Sequence, residues 1–214
     1  MTDTVLLHHA PMSRGNIAFW MLEEMGIPYR LNLLSLDRQD QKQPAYLAVN
    51  PMGKVPAIVH NGALVTEQVA IFLYLADAFP QKRLAPPTGD PLRGPYLRWM
   101  TYYAACFEPA VIDKYRKLEP APQGMLPYGD FDTMLKTLTD QLAKGPYILG
   151  ETFTAADVLW GTGLTWTTMF GLVPKLPVIE AYMGRLATRP SLAKVQAKDA
   201  ELAAAHAAAA PKQG

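Results

Sequence analysis

The amino-terminal third of the chain alternates between short apolar runs with the period of a strand and longer runs with the period of a helix. Residues 5–8 form a short, mainly apolar run typical of a buried strand, and residues 29–34 have the two-residue period of a strand. The apolar positions between 17 and 25 recur on one face of a helix. This order predicts a strand, a helix and a second strand, which together begin a βαβ unit.

The next segment has the pattern of a hairpin followed by a helix. Residues 57–59 and 63–65 are apolar, His60 completes the first predicted strand, and Asn61-Gly62 between the strands is a favoured two-residue turn. Residues 67–79 then repeat apolar side chains at helical spacing. The stripe predicted to face the core consists of Val69, Leu73, Ala76 and Phe79. A βαβ unit followed by a ββα unit is typical of a thioredoxin-like domain.

The remainder of the chain is predicted to be helical. Residues 80–91 hold four prolines and a glycine, a composition typical of a connector, and strand patterns stop beyond it. The predicted fold class is therefore α/β plus all-α. We expect a thioredoxin-like domain over residues 1–80, a linker over 81–90 and a helical bundle over 91–214. The alanine-rich residues 203–214 are expected to fray after a last helix.

Composition narrows the functional classes. Hydrophobic residues make up 50% of the 214-residue chain, charged residues make up 18%, and the formal net charge is +1 without a basic block. These values indicate a globular protein and argue against a nucleic-acid or membrane-surface partner. A single cysteine, Cys106, and an amino terminus without an apolar run predict a reducing, cytoplasmic location.

The most informative motif is the run NPMGKVPAI at residues 50–58, followed by Glu67 and Gln68 at the start of a helix. A cis bond before Pro56 would leave Val55 extended, with its main-chain N–H and C=O directed outward. The unpaired N–H groups of the following helix attract a carboxylate. The motif therefore predicts a main-chain clamp for a small peptide-like ligand.

These residues resemble the cytosolic glutathione S-transferase family, and in particular its bacterial, serine-type members. The resemblance also includes YLRWM at residues 96–100, EPA at 108–110 and FTAAD at 153–157, and so extends over nearly the whole chain. It implies glutathione as co-substrate, no metal and a homodimer. The implied reaction is attack of the glutathione thiol on small hydrophobic electrophiles in detoxification.

Such chemistry requires a thiolate, because a free thiol has a pKa of about 8.5. In serine-type relatives the activating hydroxyl lies in the loop after the first strand, and Ser13 is the hydroxyl residue of that loop here. Arg14 or a main-chain N–H are the alternative donors, and Ser13 also suits a helix cap. Replacement of Ser13 by alanine is expected to lower activity with little loss of stability.

The family pattern assigns the other contacts. The main chain of Val55 beside cis-Pro56 would bind the cysteinyl part of glutathione, and Glu67 and Gln68 its γ-glutamyl end. Gln68 departs from the usual serine, which favours an altered affinity. The glycine carboxylate would be bound by Lys54, with help from Lys42, although both lysines also suit a solvated surface. The predicted second-substrate pocket consists of Met12, Tyr102, Tyr103, Cys106 and Trp166.

Several alternatives stay open at the level of sequence. The loop after the first strand has no cysteine, which disfavours a cysteine-type mechanism. Thr154 and Asp157 have the spacing of a capping box and are assigned to folding. The rival to a transferase is a non-catalytic glutathione-binding or regulatory module of the same fold. A glutathione-dependent isomerase, peroxidase or dehalogenase would use the same binding half.

Overall fold

The predicted sheet is present in the computed structural model, which describes residues 3–119 and 121–209. The strands are β1 (Val5–His9), β2 (Tyr29–Leu33), β3 (Ala57–His60) and β4 (Ala63–Thr66). The helices are α1 (Gly15–Met25), α2 (Pro44–Leu47), α3 (Gln68–Ala78), α4 (Arg93–Tyr102), α5 (Glu108–Tyr115), α6 (Phe131–Leu142), α7 (Ala155–Met169), α8 (Pro177–Ala187) and α9 (Pro190–Ala209).

The sheet has the mixed order β2-β1-β3-β4. β1 and β2 are parallel, whereas β3 is antiparallel to both β1 and β4. The hairpin turns at Asn61 and Gly62 with φ angles of 50° and 82°, as expected for an Asn-Gly turn. The predicted thioredoxin-like first domain and helical second part are confirmed.

The described residues form two compact units with boundaries that differ from the expected ones. The first unit contains residues 3–75 and 188–209, and the second contains residues 76–187. The last helix, α9, therefore belongs with the sheet, because its Trp20–Ser191 hydrogen bond and buried Val195 attach it to α1. α9 continues through Ala209, and the rest of the expected fraying tail, residues 210–214, lies outside the described residues.

The stripe predicted for residues 67–79 is confirmed at two of its four positions. Ala76 and Phe79 are buried as predicted, whereas Val69 and Leu73 are half-buried. The fully buried residues of α3 are Ile71, Phe72 and Leu75. The apolar residues of α3 surround the helix, so hydrophobic spacing alone does not select one face.

The second unit is helical and has Trp160 of α7 at its centre. This ring contacts the rings of Trp99, Tyr103 and Phe107 at centroid distances of 5.9, 5.1 and 5.0 Å. A single π-helical turn, Tyr103–Phe107, joins α4 to α5. Within the part of the chain that the structure describes, no helix has the length and apolar character needed to cross a membrane.

Candidate functional site

The strand register brings three chain segments to one edge of the sheet. β1 and β3 are antiparallel with His8 paired to Ala57, so the residues after β1 lie beside those before β3. Ala57 also pairs with Thr66, which brings the residues after β4 to the same edge. The three segments are residues 10–16, 54–56 and 67–68. Most of the predicted ligand contacts are therefore neighbours in space.

Ser13 is buried in the loop between β1 and α1. Its hydroxyl donates to the carbonyl of Ala10 at 2.6 Å and accepts from the main-chain N–H of Gly15 at 3.0 Å. A serine hydroxyl has one proton, and in this conformation the loop itself uses it. Donation to a ligand sulfur would require the hydroxyl to rotate away from Ala10. Arg14, the N-cap residue of α1, is exposed beside it.

Met12 has a left-handed φ of 55°, which costs a residue with a side chain about 1–2 kcal/mol. The turn is bonded to Asp199 of α9. One oxygen of that carboxylate accepts from the Met12 N–H at 2.9 Å and from the Asn16 side-chain amide at 2.7 Å. The other oxygen lies 2.8 Å from Nε2 of His9.

The Asp199 carboxylate is charged although it is only 2% exposed. Burial by itself raises the pKa of this carboxyl, but the hydrogen bonds from His9, Asn16 and Met12 outweigh burial, so its pKa lies below the ordinary value. The loop thus surrounds an anion whose acceptor oxygens are all in use.

Val55 precedes Pro56 through a cis peptide bond, as the motif suggested. The segment before it is fixed because the Lys54 carbonyl accepts from the Tyr46 hydroxyl at 2.6 Å and from the Asn50 amide at 2.9 Å. Among the described residues, no hydrogen bond to the main-chain N–H or C=O of Val55 is found. Both groups of Val55 are therefore available to a ligand.

Glu67 joins β4 to α3 with a left-handed φ of 65°. Such a conformation is rare outside glycine and concentrates at functional sites. Gln68 is the first residue of α3, and its side-chain carbonyl oxygen is buried without a hydrogen-bond partner among the described residues. A buried acceptor of this kind is costly unless a ligand or water supplies a donor.

The two predicted lysines lie on either side of a tight turn. Nζ of Lys42 is 3.4 Å from the carbonyl of Met52, and Lys54 follows the turn directly. Gly53 has a φ of 60°, and a Cβ on it would come within 2.7 Å of the carbonyl of Gln41. Glycine is therefore required where the two segments approach, and both ammonium groups remain exposed to solvent.

The predicted second-substrate residues are distributed over both units. Met12 is 66% exposed in the first unit. In the second, Tyr103 is a core residue: it is 3% exposed, and a Cβ on Gly163 would come within 2.5 Å of its ring. Trp166 is half-buried beside Phe170, with ring centroids 5.9 Å apart.

Tyr102 and Cys106 lie together in an apolar depression of about 350 Å³. Its other lining residues are Leu97, Arg98, Thr101 and Ala105. The Tyr102 hydroxyl donates to the carbonyl of Met134 at 3.1 Å, and burial raises the pKa of the Cys106 thiol. A raised thiol pKa opposes a nucleophilic role for Cys106. Neither Tyr103 nor Trp166 lines this depression.

Asp199 was not expected from the sequence, although a signal for it exists. Leu192 and Val195 have the spacing of one apolar face of α9, and Asp199 continues that face. A carboxylate on an apolar stripe is a candidate for a buried partner. His9 and Asn16, its side-chain partners, also lie outside the predicted set.

The chain is similar to known proteins in its family pattern, in its sequence and in its fold. Residues 13–78 match the model of the glutathione S-transferase amino-terminal domain. The chain is 33% identical to glutathione S-transferase GstA of Escherichia coli O157:H7 over 149 residues, which cover 69% of this chain and 74% of that protein. It is 26% identical to the disulfide-bond oxidoreductase YfcG of Escherichia coli K12 over 199 residues, covering 86% and 91% of the two chains.

Among solved structures, a glutathione transferase homologue from Sulfitobacter with bound glutathione is similar over 92% of this chain and 99% of that chain. Its TM-score is 0.73 at 26% identity. The shared sheet, the helical second part and the match to GstA agree with one another. The chain belongs to the glutathione S-transferase family.

Proposed function

We propose that this protein binds glutathione at the sheet edge and activates its thiol for attack on small hydrophobic electrophiles. One observation carries the proposal. Among the described residues, the main-chain N–H and C=O of Val55 and the buried side-chain oxygen of Gln68 have no hydrogen-bond partner, and both residues lie at the sheet edge from which the loop of residues 10–16 leads into α1. A ligand with a peptide backbone, an ammonium group and a thiol matches these three features.

The binding groups have complementary roles. The N–H and C=O of Val55 pair with the cysteinyl main chain of glutathione as a short strand would. The Gln68 oxygen accepts from the γ-glutamyl ammonium group, and the N terminus of α3 attracts its carboxylate. Glu67 lies at the same turn, and Lys42 and Lys54 attract the glycine carboxylate. Gln68 in place of serine lengthens the acceptor, so we expect an altered glutathione affinity.

Thiol activation is assigned to the loop of residues 10–16. Ser13 donates to the sulfur after its hydroxyl turns from Ala10, while the Arg14 charge and the main-chain N–H groups at the start of α1 favour the thiolate. Lowering the thiol pKa by two units corresponds to about 2.7 kcal/mol, a magnitude that one or two aimed donors supply. Catalysis is then positioning and electrostatic stabilisation.

A titration of the glutathione thiolate absorbance on the bound ligand tests this function. We expect a bound-thiol pKa well below the free value and a rise towards it in Ser13→Ala. The matched control is Ser35→Ala, because Ser35 and Ser13 are both 8% exposed and Ser35 is not a predicted thiol donor. Absent binding, or an unshifted pKa in the wild type, would contradict the function. An equal shift in Ser13→Ala would assign activation to Arg14 or the main chain.

A second candidate is glutathione-dependent disulfide reduction, which the similarity to YfcG favours. The loop of residues 10–16 has no cysteine, so the electrons would come from glutathione: two glutathione thiols are oxidised to one disulfide while the substrate disulfide is reduced to two thiols. Parallel assays with an aromatic electrophile and with a small dialkyl disulfide distinguish the candidates. Faster turnover of the disulfide would replace conjugation as the main activity.

We further propose a cytoplasmic homodimer. The single cysteine suits a reducing compartment, and the family resemblance implies a dimer. Sedimentation equilibrium tests the second point directly, since a 23.6 kDa chain should give twice that mass. A species with the mass of one chain at micromolar concentration would contradict it.

A further inference from the structure

Asp199 contacts residues 9–16, which are the loop of residues 10–16 together with the last residue of β1, at three places. Its Oδ1 lies 2.8 Å from Nε2 of His9, where the loop leaves β1. Its Oδ2 accepts from the Met12 N–H at 2.9 Å and from the Asn16 amide in the first turn of α1 at 2.7 Å. The carboxylate therefore contacts the beginning, the middle and the end of the loop that carries Ser13 and Arg14.

The loop depends on this contact for its shape at Met12. That residue has a left-handed φ of 55°, and its side chain is 66% exposed, so side-chain packing contributes little to holding the conformation. The hydrogen bond from its N–H to Asp199 directly opposes relaxation of the turn. Because Ser13 and Arg14 follow at once, the direction of their main chain depends on the same bond.

Attachment of α9 to α1 has separate anchors. Ser191 accepts from Nε1 of Trp20 at 3.0 Å and also bonds to Glu24, and Arg189 forms an ion pair with the same glutamate. These contacts are two turns or more away from Asp199 along α9. Loss of an α9 anchor and loss of the loop contact are therefore separable by mutation.

We propose that Asp199 is a positioning residue: it holds the loop of residues 9–16 in the geometry that activates the bound thiol. This role rests on the proposed activation of glutathione at the loop. Asp199 is not a catalytic residue, because it touches the loop and is committed to three donors within it.

The charge of Asp199 makes the direction of the effect informative. A carboxylate near a thiolate disfavours it by repulsion, so loss of that charge alone would lower the thiol pKa. Loss of loop geometry would raise the thiol pKa, because the donors no longer point at the sulfur. Asp199→Ala distinguishes these effects by the sign of the change in thiol pKa, since it removes the charge together with both acceptor oxygens.

The experiment compares wild type, Asp199→Ala and two controls on the same helix. The controls are Ser191→Ala, which weakens the attachment of α9, and Glu201→Gln, which removes an exposed charge. Amide hydrogen exchange at Met12 is measured without ligand, and the thiol pKa, kcat and KM are measured with glutathione.

For Asp199→Ala we expect exchange at Met12 to be about tenfold faster or more, because the acceptor of its hydrogen bond is removed. The bound-thiol pKa should rise by about one pH unit, with kcat about tenfold or more lower and the KM for glutathione changed less. Ser191→Ala should lower the melting temperature but change neither exchange at Met12 nor the thiol pKa. Glu201→Gln should match the wild type.

Unchanged exchange at Met12 in Asp199→Ala would overturn the positioning role, as would a lower thiol pKa or a lower melting temperature alone. If Asp199→Ala does not fold, Asn16→Ala removes one of the three bonds and should give smaller changes of the same sign; no change there overturns the role as well. If the wild-type protein leaves the pKa of the glutathione thiol unshifted, the proposed function is refuted. Amide exchange at Met12 then still tests whether Asp199 holds the loop.

Discussion

Among the described residues, each unit contains one buried aspartate whose two oxygens both accept hydrogen bonds, and the two aspartates differ in where their partners lie along the chain. In the second unit, Asp157 accepts from the main chain of Thr154 and Ile148 and from the Tyr182 hydroxyl, each at 2.8 Å. These partners lie within 25 residues along the chain. Asp199 in the first unit bonds to residues 183 to 190 positions away.

The two aspartates therefore have different roles: Asp157 stabilises the fold, whereas Asp199 belongs to the proposed ligand site. Asp157 closes the capping box of α7 and bonds it to α8. Asp199 bonds instead to His9, Met12 and Asn16, along the loop that carries Ser13 and Arg14. A buried carboxylate in a local network thus stabilises its unit, whereas one with distant partners orients a functional loop.

The largest expected effect is on stability, from Asp157→Ala. Removal of this carboxylate leaves the N–H of Ile148 and the hydroxyl of Tyr182 buried without an acceptor and breaks the cap of α7. We expect a loss of about 3 to 5 kcal/mol in the free energy of unfolding by urea. Asp140→Ala, which breaks an exposed pair with Lys136, should cost about 0.5 kcal/mol or less. Similar losses in both variants would refute the assignment of Asp157 to folding.

Ser13→Ala should affect both activity and stability. The structure changes the expectation of a purely catalytic effect, because the buried hydroxyl also bonds to Ala10 and Gly15. We expect kcat/KM to fall about tenfold to a hundredfold and the free energy of unfolding to fall by about 1 to 2 kcal/mol. Steady-state kinetics and urea unfolding measure the two changes. Unaltered kcat/KM would remove Ser13 from the mechanism and leave only its role in the loop.

The two aspartates should give opposite pH dependence of stability. Burial raises the pKa of Asp157 to about 6, although bonds from Ile148, Thr154 and Tyr182 partly oppose it. The folded state then binds its proton more tightly than the unfolded state. That contribution is complete below about pH 4 and is lost as pH rises towards 6. The lowered pKa of Asp199 gives a contribution that is present above about pH 4 and lost on further acidification.

Urea unfolding between pH 3 and pH 7 measures both slopes, which are limited to about 1.4 kcal/mol per pH unit for one group. Asp157→Asn should flatten the curve between about pH 4 and 6, and Asp199→Asn should flatten it below about pH 4. Slopes that match the wild type in both variants would show that other groups control the acid response.

The smallest effect is expected for Thr154→Ala. This change removes the side-chain half of the capping box while the Asp157 carboxylate still accepts from the main-chain N–H of residue 154. We expect a loss of about 1 kcal/mol, seen as a lower melting temperature, with unchanged glutathione affinity. Equal melting temperatures would contradict the cap, and weaker glutathione binding would connect it to the site.

The sequence pattern correctly predicted those features that depend on residues close together along the chain. The strand and helix periods, the Asn61-Gly62 turn and the capping box of Thr154 and Asp157 each depend on residues a few positions apart. The placement of Val55 and Gln68 at one sheet edge also followed from the hairpin between them, because register fixes which residues meet. For these features the sequence carried enough information.

Other features were decided only when distant segments packed together. The stripe predicted for α3 was wrong at Val69 and Leu73, which are half-buried, because the helix is apolar around its circumference. Tyr103 is a core residue because it fills the space above Gly163. Trp160, which carried no predicted role, lies at the centre of the aromatic cluster. The spacing of apolar residues within one helix does not show which residues of another helix will pack against them.

By itself the sequence determined the fold class, the order of elements and the family motif, since each follows from short-range periodicity and turn chemistry. Tertiary structure alone decided that α9 packs with the sheet unit and that its Asp199 lies under the loop of residues 9–16. The physical reason is that a buried charge must be hydrogen-bonded or paired, and its partners can come from any segment that packs beside it. The number of residues between the partners along the chain does not restrict this pairing.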